Sequence, residues 1–124
     1  MLVAAFVIMG SQPASADKGH ATPQALSAPA GSAGAAANAE GIEHFAQGHW
    51  DVAEKHFREA VAADDKLAEA HYNLALALDN QDRHKEATTE FDRALQLAPD
   101  NPSIADSGIL KAHLKRMHKD KKAH

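Results

Sequence analysis

The sequence predicts an all-α protein: a solenoid of two helix-turn-helix repeats closed by a C-terminal capping helix. Three observations predict it. Residues 48–61 and 82–95 are offset copies, 34 positions apart, that match at Ala53 and Ala87, Phe57 and Phe91, and Ala60 and Ala94, with Val61 opposite Leu95. Within each copy the identities recur at +4 and +7, which places them on one helical face. A ring between two alanines on such a face is a knob beside flat ground, suited to close helix-on-helix packing, and its repetition describes a stack. The second observation is compositional. Alanine carries much of the apolar content and aromatic residues make up only 5% of the chain, which favours helices with thin side-chain layers over a sheet sandwich. The third is punctuation: Gly48, Asp64-Asp65, Asn80-Gln81-Asp82 and Pro99 break the chain at helix-length intervals.

Residues 1–9 are apolar, and Ala14-Ser15-Ala16 offers small side chains at the −3 and −1 positions of a signal-peptidase site. Residues 1–16 therefore read as a secretory signal peptide cut after Ala16, which predicts a periplasmic or secreted protein. The missing basic residue ahead of the apolar run departs from the usual pattern. The apolar run from Leu2 to Met9 is too short to span a bilayer, which takes about 20 residues. Residues 17–37 are rich in Ala, Gly, Ser and Pro and bury too little apolar surface to offset chain entropy, so they are expected to form a flexible linker.

Helical signals begin at Asn38, an acceptable N-cap, and Ile42, Phe45 and Ala46 form a short stripe before Gly48 ends the first helix. A second helix is expected over 50–63, a third over about 66–80 and a fourth over about 83–97, where Pro99 stops it. Pro102 suits the first turn of a fifth helix, whose apolar Ile104, Ile109, Leu110, Leu114 and Met117 give way to a basic end. The repeats then occupy about 38–67 and 68–101, and the cap 102–124.

With Gly41, Gly48, Trp50, Ala53, Phe57 and Ala60 in the first repeat, and His71, Leu74, Ala75, Leu78, Ala87, Phe91, Ala94 and Pro99 in the second, the chain resembles tetratricopeptide repeat proteins over about residues 35–101. It departs from the pattern at Asp65, in place of the first repeat's proline, at His84, in place of an aromatic residue, and at Asp82, in place of a turn glycine. The resemblance implies a scaffold that binds a protein or peptide partner in a concave groove lined by the first helix of each repeat. Carried over position by position, that groove comprises Asn38, Ile42 and Phe45 from the first repeat, and Glu69, Tyr72, Asn73, Leu76, Asp79 and Asn80 from the second. Asp106 and His113 of the cap stand beside it. Asn73 falls where family members use an asparagine to hold peptide backbone. The basic positions that clamp a ligand's terminal carboxylate are unmatched, which argues against that mode of chaperone-tail binding. An acidic groove with an apolar floor favours a basic or neutral amphipathic segment.

Cysteine is absent, which excludes disulfides, thiol nucleophiles and Cys-ligated zinc. No serine lies beside a credible base, and neither a phosphate loop nor a His-Glu-x-x-His motif is present; no catalytic residue, cofactor or enzymatic activity is expected. The net charge of −4 hides an asymmetry: residues 40–110 carry 6 Lys and Arg against 15 Asp and Glu, whereas residues 111–124 carry 6 against Asp120 alone. That basic end, from Lys111 to His124, is expected to make weak contact with an anionic surface. It has no aromatic residue for base stacking, and nucleic acid is not an expected partner.

The nine histidines include no pair at the i, i+4 spacing that sets two ligands on one helix face, so no specific metal site is expected. Packing is the expected role of His44, His71 and His84, and exposure that of His49 and His56. An exported adaptor in the bacterial cell envelope is the leading expectation. A periplasmic histidine-rich metal-buffering protein, and a self-associating element that completes its stack with a second copy, are the alternatives.

Overall fold

Pairs of helices joined by turns follow one another along the chain. The computed structural model describes residues 23–122, and within them the elements are α1 (Ala35–Ala46), α2 (Trp50–Ala63), α3 (Ala68–Asp79), α4 (His84–Leu97), α5 (Pro102–Ala105) and α6 (Gly108–Lys122). The expected signal peptide, residues 1–16, lies outside the described residues. Helices α1 and α2 form one hairpin, α3 and α4 the next, and α6 packs on α4.

Ala53, Phe57 and Ala60 of α2 and Ala87, Phe91 and Ala94 of α4 are all completely buried, and they are the only buried residues of their helices. The 34-residue echo is thus the packing face. Phe57 rests against bare backbone: a Cβ added at Gly41 would lie 2.4 Å from its ring, so α1 and α2 approach closely only because Gly41 has no side chain. Helix α3 sits in the middle of the stack. Ala70 through Leu78 are buried without interruption, the pattern of a helix covered on every side.

Gly48 ends α1 in the left-handed region, at φ 79°, with its N–H donating to the Phe45 carbonyl and that of His49 to the His44 carbonyl. Asp82, 34 positions on, takes the same conformation at φ 62°. An aspartate tolerates it, so the turn survives the loss of its glycine.

Three expectations are corrected. Asn38 is not a helix cap: α1 begins at Ala35, and the Asn38 side chain lies buried in its second turn. The expected fifth helix is two, because the chain breaks at Asp106-Ser107, where the Ser107 hydroxyl pairs with Tyr72 and accepts from the Leu110 N–H. The linker expected over 17–37 is in part a packed segment. Residues 23–34 run over the first repeat without regular structure, and Ala25 and Leu26 pack on the core. Hydrogen bonds between the Leu26 main chain and the Asn38 and Asn73 amides offset the entropy lost there.

Polar ties join the helices. Glu54 of α2, 13% exposed, receives Arg58 at 2.7 Å, Arg83 at 2.8 Å and Gln81 at 3.0 Å. Burial opposes its ionisation, yet these hydrogen bonds hold its carboxyl below the usual range. His71 of α3 is buried, as packing would require, and fully bonded: Nδ1 is 2.7 Å from Glu90 Oε1 and Nε2 is 2.9 Å from the Asp65 carbonyl oxygen. A carbonyl only accepts, so Nε2 carries hydrogen, and Nδ1 satisfies Glu90 only by carrying a second. Burial works against that charge, but Glu90 and the Asp65 carbonyl outweigh it and raise the His71 pKa above its ordinary value. A raised histidine stabilises the fold fully below its unfolded pKa of about 6.5 and loses that contribution as pH rises through the folded value. Melting temperature is therefore expected to fall as pH is raised through neutrality. The slope should be shallower in His71→Gln, measured by circular dichroism; equal slopes would show that the pair contributes nothing.

Candidate functional site

Asn38 on α1 and Asn73 on α3 stand 35 residues apart in sequence and meet in the interior, both completely buried. Asn73 Nδ2 donates to Asn38 Oδ1 at 2.8 Å. Buried amides need all their partners, and the rest come from one residue of the N-terminal segment. The Leu26 N–H donates to Asn73 Oδ1 at 2.7 Å, and the Leu26 carbonyl accepts from Asn73 Nδ2 at 2.8 Å and Asn38 Nδ2 at 3.0 Å. Leu26 N–H can only donate, so the orientation of the Asn73 amide follows from its partner. Two side-chain amides thus treat Leu26 as a neighbouring strand treats a residue in a ladder. Nothing in this contact reads the Leu26 side chain.

Beside the segment lies a hollow of about 430 Å³ lined by Pro23, Gln24, Ala25, Ile42, Phe45, Ala46 and Trp50. Phe45 packs edge-on against Trp50, with ring centroids 4.9 Å apart. Main chain bonded to an asparagine pair, next to an apolar recess for a side chain, is an arrangement for holding peptide.

The nine expected groove residues separate into two groups. Asn38, Ile42, Phe45 and Asn73 gather around the segment. The others lie toward the cap and along α3. The Tyr72 hydroxyl pairs with Ser107 Oγ at 2.8 Å and its ring packs on Phe91; burial pushes its phenol pKa up, with the Ser107 bond pulling the other way. Leu76 is core, 1% exposed. Glu69 accepts from Asn101 at 3.4 Å, and the exposed Asn80 turns back to the Leu76 carbonyl. Asp79 turns to His84 and His113 instead. Tyr72 and Leu76 accordingly offer no free surface to a ligand. Asp106 is exposed, whereas His113 is buried against α4.

The remaining histidines divide as follows. His44 is half-buried, its ring stacked on His56 with centroids 5.4 Å apart, and His44 Nδ1 has no hydrogen-bond partner among the described residues. His49 is exposed and His56 half-buried, bonded to Glu59. His84, expected in the core, is 54% exposed because it starts α4 on the outer side of the turn and reaches back to Asp79. The basic residues Lys111, Lys115, Arg116, Lys119, Lys121 and Lys122 of α6 are all exposed.

The sequence matches the family model of the tetratricopeptide repeat over residues 38–102. A search of curated proteins finds no match.

Proposed function

Because the chain belongs to the tetratricopeptide repeat family, a family of protein-interaction scaffolds, we propose that it is a non-catalytic adaptor. Its Asn38–Asn73 pair receives an extended segment of a protein partner in the place that residues 23–28 fill. The observation that carries this is the main-chain recognition of Leu26 by the two buried asparagines. A site that bonds backbone N–H and C=O accepts many sequences, provided the segment is extended and small enough to pass beside Phe45 and Trp50. The excess of acid over residues 40–110 favours a neutral or basic one. The apolar start and the Ala14-Ser15-Ala16 site support the cell envelope as the place where this happens.

The tethered segment competes with any ligand, because a short linker gives it an effective concentration of about a millimolar or more. A labelled peptide of residues 23–30 is therefore expected to bind the wild-type chain weakly. Leu26→Pro removes the N–H that Asn73 accepts, and should strengthen binding of that peptide about tenfold or more. Anisotropy titration with both proteins is the measurement. No binding to a folded Leu26→Pro protein would overturn the groove assignment.

A further inference from the structure

At the end of the second repeat three helices converge on one cluster. Asp79 is the last residue of α3, His84 the first of α4, and His113 lies in the second turn of α6. Asp79 Oδ1 is 2.6 Å from His84 Nδ1 and 2.8 Å from His113 Nε2, and one donor atom from each residue lies within 4.8 Å of the others. His113 is 2% exposed; His84 opens to solvent.

Hydrogens around His113 are constrained by Thr88. Its hydroxyl is 2.8 Å from the His84 carbonyl oxygen and 2.8 Å from His113 Nδ1. The carbonyl only accepts, so when Thr88 gives its one proton there, His113 Nδ1 must be the donor to Thr88. His113 Nε2 in the neutral ring is then a bare lone pair facing the Asp79 carboxylate. In that tautomer a metal ion between them would satisfy both.

We infer that Asp79, His84 and His113 form a site for a divalent transition metal of the zinc type. Two imidazole nitrogens and one carboxylate oxygen suit Zn²⁺ and its borderline neighbours, whereas Ca²⁺ and Mg²⁺ take oxygen ligands. Bonds of about 2.0–2.2 Å in a tetrahedron space the donors about 3.3–3.6 Å apart. The two hydrogen-bonded pairs need to open by less than about 1 Å to reach that, and the exposed His84 is free to swing. The Thr88 hydroxyl supplies the outer hydrogen bond that fixes the His113 tautomer, as ligating histidines require. Entry is open too, because His84 and His113 border a hollow of about 370 Å³ with Lys85, Thr88, Arg116 and Met117, which leaves room for water in the fourth position. A metal held here ties α6 to both helices of the second repeat. This is a single built site, distinct from diffuse buffering by nine histidines and independent of the peptide groove.

Metal-free full chain without an affinity tag, titrated with ZnCl₂ at neutral pH by calorimetry, should bind one ion saturably, and Co²⁺ should give the intense visible absorption of a tetrahedral site. Saturating Zn²⁺ should raise the melting temperature of the folded protein. His84→Ala changes an exposed side chain, so the fold should survive while affinity falls at least tenfold and the thermal shift disappears. Thr88→Val touches no ligand atom and should weaken binding about 10–100-fold. His49→Ala, outside the cluster, should behave as wild type. Absence of a saturable one-to-one event, or one that keeps its wild-type affinity in His84→Ala or vanishes in His49→Ala, would overturn the assignment.

Discussion

Phe57→Ala is expected to lower the unfolding free energy by about 3–5 kcal/mol, the range for deleting a fully buried ring. The upper part of that range is expected because of what surrounds it. The ring fills a notch made by Gly41, and main chain cannot fold in to close a cavity as a neighbouring side chain would. For a small domain whose whole stability is about 5–15 kcal/mol, such a loss removes a large share of the margin, and at the lower end of that range it leaves a sizeable unfolded fraction. Gly41→Ala tests the same contact from the other side. Its new methyl would stand 2.4–2.5 Å from two ring carbons, a distance no packed structure holds, so either the buried ring or α1 itself must shift. Urea denaturation followed by circular dichroism measures both. A loss below about 1 kcal/mol for Phe57→Ala would mean that the helices close over the gap.

Asn73→Asp keeps size and shape and removes the side-chain donor. Oδ1 could still accept from Leu26, but the second oxygen would face the Leu26 carbonyl and Asn38 Oδ1, acceptor against acceptor. A carboxylate buried there without a donor is expected to cost about 3 kcal/mol or more. The 23–28 segment should leave the groove, because that relieves the repulsion at the smallest structural change. Hydrogen exchange of the Leu26 amide reports the release directly: slow in wild type, near the free-peptide rate in Asn73→Asp. Continued protection would show that Asn73 does not hold the segment.

Packing was legible in this sequence because it is written twice. Ala53, Phe57 and Ala60 recur as Ala87, Phe91 and Ala94, and helical period alone assigns them to a buried face. The second helix, with Gly48 before it and Asp64 after, runs over Trp50–Ala63 as expected. Family resemblance singled out Asn73, but not the Leu26 main chain that its amide bonds. Leu26 sits in an Ala, Ser and Pro stretch whose composition argues for a linker, and it binds through its own backbone, which leaves no mark in the order of side chains. The Asp79, His84 and His113 cluster escaped for a different reason. A spacing rule sees two ligands on one helix, whereas His113 and Asp79 are 34 residues apart and meet only because α6 docks on α4 beside the end of α3. Tyr72 was misplaced by the same docking, since the Ser107 turn covers a position that an uncapped repeat would expose.

Helix α3 carries one more consequence. Arrays of repeats are commonly treated as chains of separable units, each adding its own stability and a term for its neighbour. Here the first helix of the second repeat has no outward face of its own, since Ala70 through Leu78 are enclosed by the elements on both sides. Cutting between the repeats would strip that helix of half its cover and leave neither fragment with a solvated boundary. The two repeats are therefore expected to unfold together as one cooperative unit, in a single urea transition.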